Sequence, residues 1–140
     1  MLVREILQGS ESFPTIATDD SVSAAASLMR RAGVRAVPVV EGGRLVGIVT
    51  DWDIVDAFAQ RPGELAQLPV ASIMTSENLI TIDADETVGD ASAKLRRNRV
   101  HHLPVLEGDR YLGVICLGME WAEEDMLTPP VRPTLTARRP

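Results

Sequence analysis

Residues Thr15–Val49 read TIATDDSVSAAASLMRRAGVRAVPVVEGGRLVGIV, and Thr81–Ile115, 66 positions later, read TIDADETVGDASAKLRRNRVHHLPVLEGDRYLGVI. The two stretches align without a gap, and 14 of their 35 positions are identical. The matches include Thr15/Thr81, Ile16/Ile82, Val22/Val88, Arg30/Arg96, Arg31/Arg97, Val34/Val100, Pro38/Pro104, Gly42/Gly108 and Gly47/Gly113. Chance would give about two, at roughly one in twenty per position. The chain is therefore a tandem duplication, and a repeat constrains the architecture before any single element is read.

Outward from this core, Val3-Arg4-Glu5-Ile6-Leu7 parallels Val70-Ala71-Ser72-Ile73-Met74, with one extra residue in the first copy before Thr15. The copies then span residues 1–60 and 68–127. Residues 61–67, entered through Gln60-Arg61-Pro62-Gly63-Glu64, read as a turn and linker. Residues 128–140 hold four prolines and no apolar periodicity, and read as an extended, mobile tail rich in Pro and Arg.

Each copy reads as strand, helix, strand, strand, helix, an α/β pattern. Val22, Ala25, Ala26 and Met29 fall on one helical face, repeated by Val88, Ala91, Ser92 and Leu95. Acidic pairs at Asp19-Asp20 and Asp85-Glu86 sit at the helix starts, where the dipole favours them. Val37–Val40 and Leu45–Val49 flank Gly42-Gly43, a two-residue hairpin signal that recurs around Gly108-Asp109. Pro38 and Pro104 inside these strands predict edge or strand-start positions. A unit of about 60 residues buries little surface alone, so the two copies are expected to pack on each other.

Composition narrows the function classes. The 140 residues are 45% hydrophobic and 24% charged, enough for a core and too apolar for disorder. No apolar run approaches bilayer length, and charges interrupt the Met1–Glu5 stretch at once, so neither a membrane span nor a signal peptide is expected. The single Cys116 excludes an internal disulfide and a cysteine-built metal site, and fits a reducing cytoplasm. A net charge of -6 disfavours binding along a nucleic-acid backbone. Nucleophile elbows, Gly-rich loops carrying Lys and metal-ligand clusters are all missing from the sequence, so no catalytic residue and no metal site are assigned. The His101-His102 pair does not change this, because adjacent strand residues point to opposite faces.

The order and spacing of these segments resemble paired cystathionine-β-synthase (CBS) domains, the Bateman module. The segments are Val3-Arg-Glu-Ile-Leu, Val70-Ala-Ser-Ile-Met-Thr, Val34-Arg-Ala-Val-Pro, Val100-His-His-Leu-Pro and Gly47-Ile-Val-Thr-Asp-Trp-Asp-Ile, and the likeness covers about residues 1–125. It implies two β-α-β-β-α repeats with pseudo-twofold symmetry and two clefts between the copies. It also implies frequent dimerisation and regulatory binding of adenosine ligands instead of catalysis.

Carried onto this chain, the resemblance places the ribose and part of the phosphate on Thr50 and Asp53. The chemistry is reasonable, since a carboxylate accepts hydrogen bonds from ribose hydroxyls and a helix N-terminus offers free N–H groups. Thr50-x-x-Asp53 equally reads as a capping box that only starts a helix. The second copy carries Cys116, Leu117, Gly118 and Met119 at these positions, without hydroxyl or carboxylate. One working and one degenerate cleft are therefore expected. The resemblance adds Leu79, Ile80 and Thr81 as the adenine sandwich of the working cleft. Phe13, Pro14 and Thr15 would join Cys116 and Met119 in the degenerate one.

Arg35, His101 and His102 start the matched central strands, where the family meets phosphates. An arginine can bind them bidentately, and the histidines add charge below about neutral pH. Trp52 would cover the ribose or support a dimer contact, and otherwise simply packs. Ile54, Val55 and Phe58, with Met119, Ala122 and Met126, form either dimerisation faces or internal core. The expected ligand is AMP, ADP or ATP, in preference to S-adenosylmethionine or NAD, and the expected assembly is a homodimer that signals to a protein partner. A ligand-free interaction module is the alternative, and an enzyme of unknown type a remote one.

Overall fold

The computed structural model describes residues 1–8 and 13–116, and Met119, Ala122, Met126 and the tail lie outside the described residues. The chain is mixed α/β and divides into two compact units. One unit is built from Pro14–Leu79, the other from the residues up to Phe13 together with those from Ile80 onward.

The Pro14–Leu79 unit contains helix α2 (Val22–Ala32), strands β1 (Ala36–Glu41) and β2 (Arg44–Thr50), and helix α3 (Asp51–Gln60). The Ser21 hydroxyl accepts from the Ala24 N–H to start α2, and Gly33 in the left-handed region ends it. β1 and β2 pair antiparallel around Gly42-Gly43, both at positive φ as a two-residue type I′ hairpin turn demands. Val22, Ala25 and Met29 are buried as the helical face predicted, whereas Ala26 is exposed and Leu28 packs on the core in its place. The apolar cluster joins these residues to Val37, Val39, Val49 and Val70. Of residues 61–67, expected as linker, Leu65 is buried in a short 3-10 turn, Leu65–Gln67, that packs on α2.

The other unit contains α1 (Val3–Gln8), β3 (Ile82–Asp83), α4 (Val88–Asn98), β4 (His102–Glu107) and β5 (Arg110–Cys116). β3 pairs parallel with β4, and β4 pairs antiparallel with β5. The leading segment is tied down by Val3 N–H to Glu86 and Arg4 N–H to Ala84, each at 2.9 Å, and by the Arg4 guanidinium on Asp85 and Glu107. Val3 is fully buried among Ile82, Ala84, Ala91, Leu95, Leu103, Val105 and Ile115.

One expectation is corrected here and one is met in part. The first strand of the first copy shrinks to a single bridge, Ile16 with Val39. Pro38 and Pro104 sit third in six-residue strands instead of at strand starts, but Pro38 has the expected edge place, because β1 meets only that bridge on the side away from β2. Ile16 N–H donates to the Pro38 carbonyl and Val40 N–H donates to the Ile16 carbonyl. The Pro38 nitrogen faces the same side, where its missing proton leaves no ladder bond unmade.

Gly47 and Gly113, identical in the repeat, have a shared use. A Cβ at Gly47 would lie 2.6 Å from Met74 Sδ and 3.0 Å from the Thr75 carbonyl oxygen, and one at Gly113 would lie 3.1 Å from a Leu7 methyl. Gly47→Ala is therefore expected to destabilise the protein by about 1–3 kcal/mol, read by denaturant unfolding, through overpacking against Met74 and the Thr75 backbone. An unchanged midpoint would show that the segment yields freely. Arg99 ends α4 at φ 54°, where its repeat counterpart Gly33 has φ 70°. Arg99→Gly should raise stability by about 0.5–1 kcal/mol, because glycine enters the left-handed region without a Cβ penalty. Destabilisation would show that the arginine side chain makes a contact worth more than that strain.

Candidate functional site

Thr50 ends β2 in extended conformation and caps α3. Its hydroxyl accepts from the Asp53 N–H at 3.0 Å, while Asp53 Oδ2 accepts from the Thr50 N–H at 2.9 Å. The capping box expected as the structural reading is thus formed. Asp53 Oδ1 accepts a long hydrogen bond, 3.5 Å, from the Thr75 hydroxyl. Sequence reasoning missed Thr75. The signal that would have found it is its place after Met74, in the segment that packs on β2 through the Ile48–Thr75 bridge.

Burial separates this capping box from the other one among the described residues. Asp53 is 2% exposed and Thr50 4%. Thr87 and Asp90 make the same reciprocal box at the start of α4, yet both are exposed, and there the backbone and hydroxyl of Thr87 hold the Asp90 carboxyl below the usual carboxylate range. A cap functions at the surface, so burying the Asp53 carboxylate adds a desolvation cost that capping does not require.

Arg35 begins the turn into β1, its carbonyl accepting from the Asp51 N–H at 2.9 Å. Its guanidinium is 86% exposed and 3.6 Å from Asp51 Oδ2. Trp52 is half-buried on the first turn of α3, its N–H donating to Asp51 Oδ1 at 2.7 Å. Asp51 and Asp53 make that turn acidic. It therefore suits hydroxyl donors better than phosphate, and a phosphoryl group needs a cation from elsewhere. Ile54 packs inward on the core, while Val55 and Phe58 stay exposed on the same helix.

Thr50, Trp52, Asp53, Arg35 and Leu79 fall in the Pro14–Leu79 unit, as do Pro14 and the exposed Thr15. Ile80, Thr81, His101, His102, Phe13 and Cys116 belong to the other unit. There Ile80 packs on the core, and the Thr81 carbonyl accepts from Lys94 Nζ at 2.7 Å. His102, expected beside a phosphate, lies against Phe13 with ring centroids 5.4 Å apart. Burial pushes the imidazole below its ordinary value and the neighbouring His101 adds to the shift, so His102 gains charge only in more acidic solution than a free histidine. Cys116 is exposed opposite His102 in the β4–β5 register. The Tyr111 hydroxyl is buried without a hydrogen-bond partner among the described residues, and burial pushes it up to about 12. Among the described residues no group of three His, Cys, Asp or Glu could hold a metal ion, and no helix is long and apolar enough to cross a membrane.

Comparison with known proteins places this geometry in a family. The CBS domain-containing protein YhcV of Bacillus subtilis is 33% identical over 104 residues, covering 74% of this chain and 73% of that one. A homoserine O-acetyltransferase of Methanosphaerula palustris is 36% identical over 107 residues, or 76% of this chain, but this match spans only 20% of that enzyme. The CBS domain pair of protein MJ0100, solved in complex with 5′-methylthioadenosine and S-adenosyl-L-methionine, is 30% identical with a TM-score of 0.64, covering 91% of this chain and 93% of that one. The CBS domain description itself matches twice, over residues 3–60 and 70–118, and this chain belongs to the CBS domain family as a tandem pair.

Proposed function

We propose that this chain is a regulatory module that binds a phosphorylated adenosine of the AMP, ADP or ATP class, with Thr50 and Asp53 holding the ribose. The carrying observation is the burial of the Asp53 carboxylate in a cap whose counterpart at Thr87/Asp90 works exposed. A buried carboxylate at a helix start is a group that can accept from a pair of ribose hydroxyls. The 5′-methylthioadenosine and S-adenosyl-L-methionine in the MJ0100 complex support the adenosine part of the ligand. In this reading Trp52 covers the sugar, Leu79 packs against the base, and Arg35 supplies an exposed guanidinium for phosphate. One nucleotide per chain follows, because the second copy has Cys116 in place of Thr50 and no equivalent carboxylate.

The module signals by a change of shape to a protein partner and is not itself a catalyst. Its match to one fifth of an acetyltransferase fits a module that also occurs attached to enzymes. The exposed Val55 and Phe58 of α3 support pairing with a second copy. The second reading is a ligand-free interaction module. It draws on the same capping box, since both Asp53 oxygens already accept hydrogen bonds.

Thermal unfolding with AMP, ADP, ATP and GTP separates the two. An adenine nucleotide at a hundred times its dissociation constant should add about 2.7 kcal/mol, or roughly 5–10 °C. Asp53→Ala should abolish that shift, whereas Asp90→Ala, which loses an equivalent cap, should keep it. Equal shifts in all three proteins would remove Asp53 from the site. No shift with any nucleotide would leave the interaction module.

A further inference from the structure

The densest run of cations in this acidic chain is Lys94-Leu-Arg96-Arg97-Asn-Arg99-Val-His101-His102, and no carboxylate occurs between Asp90 and Glu107. Part of it has a plain structural use. Arg96 and Arg97 repeat Arg30 and Arg31 of the first copy, and both pairs lie in the last turn of a helix, where the dipole favours cations. Lys94 does not fit that account. It lies one turn earlier, and its counterpart in the first copy is Leu28, which packs on the apolar cluster. Lys94 is also the only lysine among 14 basic residues.

The Lys94 side chain is half-buried and its ammonium rests on the Thr81 carbonyl at 2.7 Å. Among the described residues no carboxylate lies within 4.0 Å of it. An ammonium has three donors and one carbonyl engages one of them. A partly desolvated cation without an ion-pair partner is costly, and an anion is the natural completion. Arg97 and Arg99, both exposed on the same stretch, strengthen the local positive potential.

We propose that Lys94 is an anion-binding residue that takes a phosphoryl oxygen, with the Thr81 carbonyl fixing its ammonium in place. The assignment rests on Lys94 and Thr81 of one unit and does not require the nucleotide reading. The apolar Leu28 at the matched position makes this a property of the second copy alone.

Because the chain has a single lysine, incorporation of carbon-13 lysine gives one side-chain signal in the full-length protein. Tripolyphosphate is the probe, with uncharged adenosine as the contrast. The lysine signal should move with tripolyphosphate and stay with adenosine. By calorimetry, Lys94→Gln should weaken tripolyphosphate binding about tenfold, while Lys94→Arg, which keeps the charge, should retain most of it. An unmoved lysine signal in the wild-type chain would overturn the proposal, whether or not ATP binds. A moved signal without any adenine-dependent stabilisation would uphold Lys94 and defeat the adenosine reading. The wild-type signal decides even if Lys94→Gln fails to fold.

Discussion

Neither apolar core of this protein is closed by the repeat copy that supplies its strands. Met74 and Thr75, from the segment leading into the second copy, lie against Gly47 of the first. Leu7, from the segment leading into the first copy, lies against Gly113 of the second. At each glycine the other copy's leading segment lies close enough to crowd an added Cβ. The consequence is an exchange in which sequence repeat and packing unit are offset. Val70 is fully buried in the core built on β1 and β2, and Val3 in the core built on β4 and β5. A change in one leading segment is therefore felt in the opposite copy.

The same exchange supplies the detail that distinguishes Asp53 from an ordinary cap. Thr75 reaches the Asp53 carboxylate because the leading segment runs beside β2 through the reciprocal hydrogen bonds of Ile48 and Thr75, each at 2.9 Å. Capping requires only an oxygen at the helix start, and Thr87/Asp90 meets that need in full exposure. The extra burial at Asp53 costs free energy that a capping role alone leaves unexplained. The acidic first turn of α3 also assigns roles by charge. Asp51 and Asp53 favour hydroxyl donors nearby, so a phosphate beside this turn needs a cation such as Arg35.

Much of this was legible in the chain itself. The duplication gave the repeat, the paired glycines gave the hairpin, and the spacing of Val22, Ala25 and Met29 gave the buried helix face. Ala26 misled because a methyl contributes little to a face that Leu28 can cover. Pro38 was legible as an edge-strand residue, whereas the shrinking of the Ile16 pairing to one bridge was not, since the strand beside the matched Pro104 runs to two residues. The remaining surprises are tertiary. Periodicity does not reveal which core a leading segment joins, that Phe13 would cover His102, or that Lys94 would reach Thr81. The capping box was legible as a motif, whereas its burial was not.

The central claim is that two copies of one fold have diverged so that a single carboxylate-bearing copy holds an adenine nucleotide. Calorimetric titration of nucleotide-stripped protein with ADP or ATP counts the sites directly. The account predicts one nucleotide bound per chain, lost in Asp53→Ala. Two equivalent sites per chain, or one site indifferent to Asp53, would contradict it.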